Sequence, residues 1–257
     1  MKYSKIFNLS GNAVVVGGAG GFGQACAEAL AEMGCKVIIS SRKEASLLRA
    51  QEEIKAATGV EVGYYACDAS VESQVKAMAE YCIKELGTVT YLVNAQGFNK
   101  KHPLDDFPED DWDQMMATNV KSMMLTAKYF GPHMKANGYG KIVNYSSVRG
   151  CRACGGGNIG YCTTKGAVDM LTRTAAVELG PEVCVNAVGP TITYTPMMVG
   201  ILPDDPEKRN ALGAGKPLKR IGETEDCVGP TIFLLTPASD FMTGQIIYPD
   251  GGLTAIG

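Results

Sequence analysis

The chain has 257 residues, 46% of them hydrophobic and 20% charged, a composition typical of a folded globular protein and not of a disordered one. Lys and Arg number 24 against 27 Asp and Glu, a formal net charge of -3 with no basic tract, which argues against a nucleic-acid partner. No apolar run approaches the roughly 20 residues of a membrane-spanning helix, and the N-terminal segment lacks a secretory signal, so we expect a cytoplasmic protein with no membrane partner.

Short apolar runs alternate along the chain with segments of helical periodicity. The runs are rich in Val and Ile, which is typical of strands buried on both faces of a parallel sheet. The predicted strands are Ala13–Val16, Lys36–Ser40, Glu61–Ala66, Thr90–Val93, Lys141–Tyr145, Val183–Val188 and Gln245–Tyr248. The predicted helices are Phe22–Met33, Glu44–Ala57, Val71–Leu86, Asp111–Lys135, Tyr161–Leu179 and Glu225–Leu235. This alternation predicts an α/β protein: one domain over residues 1–257, with a doubly wound, Rossmann-type parallel sheet and helices on both faces.

The first predicted strand runs directly into a glycine-rich segment, Val16–Gly23, which leads into the first predicted helix. Glycines let the backbone turn tightly and approach a pyrophosphate at the positive end of a helix dipole. A glycine-rich run alone could be a tight turn, but its place between a strand and a helix favours dinucleotide binding. The predicted cofactor contacts in this segment are Gly17, Gly20, Gly21, Phe22 and Gly23.

The end of the second predicted strand bears on the choice between NAD and NADP. An acidic side chain there would bind the ribose 2′-hydroxyl of NAD, whereas an Arg suits a 2′-phosphate. The chain has Ser41 and Arg42 at this point and no acid before Glu44, so we favour NADP(H), with NAD(H) as the alternative. Asp68, after the third predicted strand, is a candidate contact for adenine, or an ordinary helix cap.

In the second half of the chain, Ser147, Tyr161 and Lys165 have the chemistry of an acid/base site. Tyr161 and Lys165 are four residues apart on a predicted helix, so phenol and ammonium share one face. The positive charge is expected to lower the tyrosine pKa from about 10, which would let the phenol exchange a proton with an alcohol or ketone. Ser147 follows a predicted strand at the sheet edge where ligands gather, and its hydroxyl could hold the substrate oxygen.

These segments occur in the order of the motifs of the short-chain dehydrogenase/reductase family, which the chain resembles from about Asn12 to Leu253. The resemblance implies a hydride transfer between a nicotinamide cofactor and a secondary alcohol or ketone, by a homotetramer or homodimer. Besides the glycine loop, the matching segments are Leu92–Gly97, Thr118–Val120, Ser147–Gly150, the Tyr161 and Lys165 pair, Val185–Pro190, Thr243–Gln245 and Asp250–Gly252.

The resemblance also implies a role for each matching residue. Tyr161 would be the acid/base, Ser147 would hold the substrate oxygen, and Lys165 would lower the tyrosine pKa and bind the nicotinamide ribose. Asn119 would kink its helix and position a water in a proton relay, and Thr195 would touch the nicotinamide carboxamide. The cofactor contacts implied by these motifs are Asn94, Ala95, Gly97, Tyr161, Lys165, Pro190, Ile192 and Thr195.

The chain departs from the family pattern in three places. Val16 replaces the usual Thr, and Thr191 replaces the usual Gly after Pro190. Ala95 and Gln96 replace Asn-Ala, so a strand-linking hydrogen bond must be made differently. None of these changes removes a catalytic group, and we expect them to affect local stability and loop dynamics more than activity.

The stretch from Phe98 to Glu109 is similar to that of gluconate 5-dehydrogenases, which implies a sugar acid or polyol as substrate. Basic side chains of this stretch and of the loop after Ser147 could bind a substrate carboxylate, or could be solvated. A segment over residues 194–216 is predicted to form a lid. The candidate substrate contacts are Phe98, Lys100, Lys101, Arg149, Arg152 and Met197.

Other functions are open on the same scaffold. Met and Ile side chains in the predicted lid would also suit a hydroxysteroid dehydrogenase or a 3-oxoacyl thioester reductase. A non-catalytic dinucleotide sensor would keep the glycine loop and lose the Tyr or the Lys, and both are present. The assay that separates these functions is cofactor oxidation with a ketogluconate, a ketosteroid and a β-ketothioester.

Nine cysteines stand in the sequence, most of them in apolar segments, where a free thiol behaves as a small hydrophobic group. Their odd number and the lack of an export signal favour reduced thiols over a disulfide framework. Cys151 and Cys154 form a Cys-x-x-Cys pair, but a zinc site would need a second pair, which His102 and His133 do not supply. We therefore expect no metal site.

Overall fold

A computed structural model of the chain describes residues 3–195, 198 and 202–256. Within this part the strands are β1 (Ala13–Val16), β2 (Val37–Ser41), β3 (Gly63–Ala66), β4 (Tyr91–Asn94), β5 (Gly140–Tyr145), β6 (Val183–Val188), β7 (Thr193–Tyr194), β8 (Gly222–Glu223) and β9 (Ile246–Ile247). The helices are α1 (Gly21–Glu32), α2 (Glu44–Thr58), α3 (Glu72–Leu86), α4 (Glu109–Met116), α5 (Ser122–Ala136), α6 (Ile159–Leu179), α7 (Pro206–Ala211) and α8 (Glu225–Leu235).

Seven strands of the described chain form one parallel sheet in the order β3-β2-β1-β4-β5-β6-β9. The chain winds outward from β1 to β3 on one side and from β4 to β9 on the other, which confirms the predicted doubly wound sheet. The direction of winding reverses between β1 and β4. In open sheets of this kind a crevice forms beyond the carboxyl ends of the strands at that reversal, and ligands bind there.

The two faces of the sheet are covered by different helices. Val15 of β1 packs in a cluster with residues of α1, α2 and α8, whereas Val14 and Val16 pack with residues of α3, α5 and α6. Successive side chains of a strand point to opposite faces, so a strand covered on both sides is apolar at every position. All four residues of β1 are buried accordingly, and each fully buried Val contributes about 1.5–3 kcal/mol.

The structure differs from the predicted elements in a few places. The helix predicted over Asp111–Lys135 is divided by a π-helical turn, Ala117–Lys121, between α4 and α5. Helix α6 begins at Ile159, two residues before its predicted start, so Tyr161 lies in its first turn. The two-residue strands β7 and β8, which pair with each other, and the six-residue α7 were not predicted, because such short elements have no measurable periodicity.

None of the helices in the described part of the chain is both long and apolar enough to cross a membrane. The nine cysteines all lie in that part and are free thiols. The buried ones are Cys26, Cys35, Cys67, Cys82 and Cys227.

Candidate active site

The glycine-rich loop begins where β1 ends. The backbone N–H groups of Gly17 and Gly18 donate to the carbonyl oxygen of Ser40 on β2, at 2.8 and 3.1 Å. A Cβ added to Gly23 would lie 2.2 Å from the carbonyl oxygen of Gly17, so only a glycine lets helix α1 pack this closely on the loop. These contacts fix the loop at the carboxyl edge of the sheet, in front of the N-terminus of α1.

The outer face of the same loop is open. A Cβ added to Gly20 or Gly21 would have no atom within 4 Å. Open space in front of a helix N-terminus, bordered by glycine backbone, fits the pyrophosphate of a dinucleotide. Phe22, in contrast, stacks its ring on Tyr145 with centroids 5.0 Å apart, so its side chain packs inward and only its backbone faces this space.

Basic side chains lie beside the predicted adenosine end of the site. Arg42 follows β2, is exposed, and makes no ion pair within the described residues. Glu44, the nearest acid in sequence, accepts a hydrogen bond from the hydroxyl of Tyr64 at 3.1 Å. Arg49 of α2, which the sequence analysis missed, donates to the Ala19 carbonyl of the glycine loop at 3.4 Å. Its proximity to the loop depends on the packing of α2 and could not be found from sequence spacing.

Ser40 and Ser41, at the end of β2, and Asp68, after β3, lie near this end of the sheet. The hydroxyl of Ser40 is buried and has no partner among the described residues, whereas Ser41 is partly exposed. Asp68 Oδ1 accepts hydrogen bonds from the N–H and hydroxyl of Ser70, at 2.9 and 2.6 Å. Asp68 therefore stabilises the turn before α3, but it is not the cap of that helix, whose N-cap position is Val71. Its contact with adenine stays a prediction.

Asn94, predicted as a cofactor contact, has its side chain in the core. Its amide donates to Asn144 Oδ1 at 2.9 Å, and its Oδ1 accepts from Thr126 at 2.9 Å. The residue is fully buried, so its side chain serves the core, and a cofactor contact through its backbone stays a prediction. The Asn94–Asn144 pair is a hydrogen bond that links β4 to β5, and Gln96 binds the hydroxyl of Ser122 on α5 at 2.9 Å.

Ala95 and Gly97 follow at the end of β4. The Ala95 N–H donates to the carbonyl oxygen of Val16 at 2.8 Å, which joins this turn to the glycine loop. A Cβ on Gly97 would lie 3.3 Å from Asn119 Oδ1 and 3.5 Å from Lys165 Nζ. Gly97 thus leaves the approach to the Lys165 ammonium clear, as a cofactor ribose would require.

Asn119 lies within the π-helical turn between α4 and α5. Its side-chain oxygen accepts from the Phe98 N–H at 3.0 Å, and its amide donates to the Phe98 carbonyl at 2.9 Å and to Thr164 Oγ1 at 3.1 Å. The predicted interruption of the helix at Asn119 is observed. The Asn119 side chain fastens the loop after β4 to helix α6, which leaves its backbone for the predicted water relay.

Ser147 stands at a corner after β5. It is 6% exposed, and its hydroxyl donates to the Pro190 carbonyl at 3.2 Å and accepts from the Arg149 N–H at 3.2 Å. Pro190 O also accepts from the Val148 N–H at 3.0 Å. The corner is therefore held against the loop after β6, where the resemblance predicts the nicotinamide contacts.

Tyr161 and Lys165 share one face of α6, with the Lys165 Nζ 5.6 Å from the centroid of the tyrosine ring. Burial raises the pKa of Tyr161, while a hydrogen bond with Ser147 and the charge of Arg149 lower it. The expected net lowering is wrong for the protein alone, because burial raises the Tyr161 pKa more than the neighbouring groups lower it. Lys165 Nζ itself donates to the Tyr145 carbonyl at 2.7 Å. Burial lowers the pKa of Lys165 itself to about 8.

The predicted substrate contacts separate into two groups. Phe98 is held by Asn119, and Arg149 lies close enough to Tyr161 for its charge to lower the phenol pKa. Arg152 instead donates to the carbonyl oxygens of Leu253 and Ile256 near the C-terminus. One nitrogen of its guanidinium is bound to the chain itself, and its role as a substrate contact stays a prediction.

The basic loop after β4 is also partly neutralised. Lys100 forms an ion pair with Asp111 of α4, and His102 Nε2 lies 2.8 Å from the second oxygen of the same carboxylate. Lys101 is exposed. Two hydrogen bonds tie this loop to the loop before α6: His102 N–H to the Gly157 carbonyl at 3.1 Å, and the Asn99 amide to Asn158 Oδ1 at 2.9 Å.

The remaining predicted contacts follow β6. The Ile192 carbonyl accepts from the Gly222 N–H at 3.0 Å, and Thr195 is buried at the end of β7. Met197 lies outside the described residues, as does part of the segment 194–216 predicted as a lid.

Comparisons with known proteins agree with this arrangement. The family model described as enoyl-(acyl carrier protein) reductase matches residues 17–254. The chain is 35% identical to a tropinone reductase homolog of Arabidopsis thaliana, covering 100% of this chain and 97% of the relative. It is 32% identical to the gluconate 5-dehydrogenase of Gluconobacter oxydans, covering 99% of each. A gluconate 5-dehydrogenase of Burkholderia cenocepacia, solved in complex with NADP and tartrate, is 30% identical and superposes with a TM-score of 0.89 over 98% of this chain and 99% of that one.

Proposed function

The chain belongs to the short-chain dehydrogenase/reductase family, and from this membership we propose that it is an NADP(H)-dependent oxidoreductase that transfers a hydride between the cofactor and a secondary alcohol or ketone, with a sugar acid or polyol as substrate. The observation that carries the proposal is the convergence of Ser147, Tyr161 and Lys165 beside the open glycine loop. A glycine loop alone would suit any dinucleotide-binding protein, whereas this set also supplies a proton donor and a binding site for the reacting oxygen.

The chemistry divides between cofactor and protein. A bound nicotinamide cofactor supplies or accepts the hydride. Ser147 would hold the substrate oxygen, and Tyr161 would give that oxygen its proton during reduction. Burial raises the pKa of Tyr161, which keeps the phenol protonated at neutral pH and suits it to act as an acid. Lys165 would bind the ribose and offer its positive charge as the phenol proton leaves.

The preference for NADP(H) is supported by charge at the adenosine end. Arg42 is exposed and unpaired among the described residues, and Arg49 reaches the glycine loop. Glu44 binds the Tyr64 hydroxyl. A 2′-phosphate would therefore meet guanidinium groups here. The structural relative from Burkholderia was solved with NADP, which agrees with this choice.

The relatives and one basic side chain, that of Arg149, favour a sugar acid as the substrate. Arg149 lies near Tyr161, and no side-chain hydrogen bond or ion pair occupies its guanidinium within the described residues. Arg pairs well with carboxylates. Lys100 and Arg152 are already bound to other groups of the chain and Lys101 is exposed to solvent, so Arg149, which lies near Tyr161, is the basic residue that we propose as the carboxylate partner.

The test is NADPH oxidation by the purified protein with a ketogluconate, a ketosteroid and a β-ketothioester, repeated with NADH. We expect the ketogluconate with NADPH to give the highest kcat/KM. Faster turnover of the ketosteroid or the thioester would refute the proposed substrate class. Faster turnover with NADH would refute the preference for NADP(H).

Two variants sharpen this test. Tyr161→Phe is expected to lower kcat by about a hundredfold or more, since a general acid is lost while the ring remains. Arg149→Met is expected to raise KM for the ketogluconate and to leave KM for an uncharged ketone unchanged. Tyr161→Phe with turnover near that of the parent would refute the assigned acid.

We also propose assembly into a homotetramer or homodimer. Apolar side chains are exposed on and near α6: Val177 at 83%, Met170 at 56% and Phe241 fully. Exposed apolar groups of this size suit an interface. Light scattering on the purified protein tests it, and a monomer at micromolar concentration would contradict it.

A further inference from the structure

Beneath the Ser147 corner lies a carboxylate that the proposed reaction does not use. Asp169 is on α6, four residues after Lys165 and eight after Tyr161, so the three side chains follow one face of the helix. It is 3% exposed. An isolated ionised carboxylate is expensive to bury, so its position requires compensating contacts.

Both oxygens of this carboxylate are held by hydroxyl groups from other elements. Asp169 Oδ1 accepts a hydrogen bond from Ser146, the residue next to Ser147. Its Oδ2 accepts from the hydroxyl of Tyr248, just after β9, at 3.3 Å. Ser146 Oγ also lies 3.3 Å from the carbonyl oxygen of Lys165. Asp169 thus joins the end of β5, helix α6 and the end of β9.

The loop that follows Ser147 packs against the Asp169 carboxylate. A Cβ added to Gly150 would lie 2.5 Å from Asp169 Oδ2 and 2.9 Å from the Lys165 carbonyl oxygen. Any other residue at 150 would push the loop away from α6. The backbone on both sides of Ser147 is therefore in contact with Asp169 or with the residues that it binds.

Charge gives Asp169 a second role. Lys165 is 4% exposed, and its hydrogen-bond acceptor, the Tyr145 carbonyl, is neutral. Burial lowers the pKa of Lys165 to about 8, and the negative charge of Asp169 acts in the opposite direction. Tyr161, on the same helix, and Asn119, on the π-helical turn, also lie near the Lys165 ammonium.

The groups that face Asp169 come from four segments of the chain. On α6 these are Lys165 and Arg173. Burial raises the pKa of Asp169, and the hydrogen bonds of Ser146 and Tyr248 and the charges of Arg173 and Lys165 oppose this rise without cancelling it. The groups from the other segments are Tyr248, after β9, and Cys151, which lies beside Tyr248. Ser146, from the end of β5, is not titratable.

We propose that Asp169 is a positioning residue of this site: its carboxylate anchors the Ser146–Ser147 corner and supplies the buried negative charge that keeps the Lys165 side chain an ammonium. The consequence of this inference for turnover rests on the proposed function. The effect of Asp169 on the ionisation of Lys165 can be measured without cofactor or substrate.

The first experiment follows the ionisation of Lys165 by NMR in protein labelled with ¹³C at the lysine Cε, with the signal assigned by Lys165→Met. In Asp169→Asn, which keeps the shape and removes the charge, the Lys165 midpoint is expected to fall by about one pH unit or more. Tyr248→Phe is the matched control, because it removes a hydrogen bond to Asp169 and keeps the carboxylate. Its Lys165 midpoint is expected to match that of the parent.

An unchanged Lys165 midpoint in Asp169→Asn overturns the electrostatic role. If that variant does not fold, Asp169→Ser removes the same charge and leaves room for a water, with the same expected shift and the same contrary result.

The second experiment is the pH profile of kcat/KM for NADPH-dependent ketone reduction. A lower Lys165 pKa means that the ammonium is lost at a lower pH, so the alkaline limb of Asp169→Asn is expected to move to lower pH. A parent-like profile and kcat in Asp169→Asn would overturn this inference and leave the proposed function intact. A parent enzyme that reduces no ketone would overturn the proposed function, while the NMR result would still decide whether Asp169 controls Lys165.

Discussion

The corner formed by β5 and α6 is built differently from the loops that border it. In the corner, the side chains of Ser147 and Lys165 each bond to a backbone carbonyl of a neighbouring segment, and Asp169 lies beneath them. In the loops, charged side chains bond mainly to one another or to a distant part of the chain, as Lys100 does with Asp111 and Arg152 with the C-terminal segment.

Because of this difference, the type of reaction and the substrate specificity depend on different regions of the molecule. Groups on strands and helices are held more accurately than groups on loops, so the reaction type follows from the corner. The substrate depends on which loop cation is left without a partner, and that depends on residues far apart in the sequence. The five predictions below test whether the two regions are as different as this comparison holds.

Lys165→Met should have the largest effect. It removes a buried ammonium and its approach to the ribose while keeping a similar side-chain shape, so kcat/KM is expected to fall by about a hundredfold. Steady-state kinetics and NADPH titration check the result. A loss confined to a few-fold would mean that the corner does not depend on this charge.

The same variant should change how stability depends on pH. The folded pKa of Lys165, about 8, lies below its ordinary value of 10.5, so the unfolded chain binds more protons between these pH values. Stability of the parent is therefore expected to gain from this group as pH rises through that window. Denaturant unfolding of Lys165→Met should lack this gain and show equal or higher stability at pH 7. A marked loss of stability at pH 7 would contradict the assigned cost of burying the ammonium.

Within the glycine loop, two substitutions separate packing from binding. Gly23→Ala is expected to lower the free energy of unfolding by about 1–3 kcal/mol, because its Cβ would meet the Gly17 carbonyl at 2.2 Å. Gly20→Ala, which enters open space, should change that free energy by less than about 0.5 kcal/mol and weaken NADPH binding. Urea unfolding and fluorescence titration measure both, and equal effects of the two variants on stability would refute the distinction.

Arg42→Ala should have a smaller and more selective effect. Loss of a charge-assisted hydrogen bond to a phosphate is expected to reduce the preference for NADPH over NADH by about tenfold. The ratio of the two kcat/KM values measures it. Lys36→Ala, which removes a cation at the opposite end of β2, is the matched control. An unchanged ratio would show that Arg42 does not bind the 2′-phosphate of NADPH and would assign that contact to Arg49.

Asp111→Asn should have the smallest effect. It frees Lys100 from its ion pair on a partly exposed loop, so KM for an acidic substrate is expected to fall by about twofold to threefold, with kcat unchanged. The change should shrink as salt is added. A rise in KM would show that the pair holds the loop in its binding shape.

The sequence alone predicts much of this molecule, for physical reasons. The five central strands of the main sheet, β1, β2, β4, β5 and β6, are predicted from the sequence because they are buried on both faces, and Tyr161 and Lys165 are paired by helical spacing. The same spacing, extended by four residues, reaches Asp169, a signal that was present and overlooked. The neutralisation of Lys100 and the bond from Arg49 to the glycine loop arise from tertiary packing, which spacing does not encode.

The most direct test of the central claim is the structure of the protein with NADP and a substrate or unreactive analogue bound. The account predicts the reacting oxygen within about 2.6–3.2 Å of both Ser147 Oγ and the Tyr161 hydroxyl, with Lys165 on the ribose. A ligand oxygen bound away from both hydroxyls, or a dinucleotide bound elsewhere than the glycine loop, would contradict it.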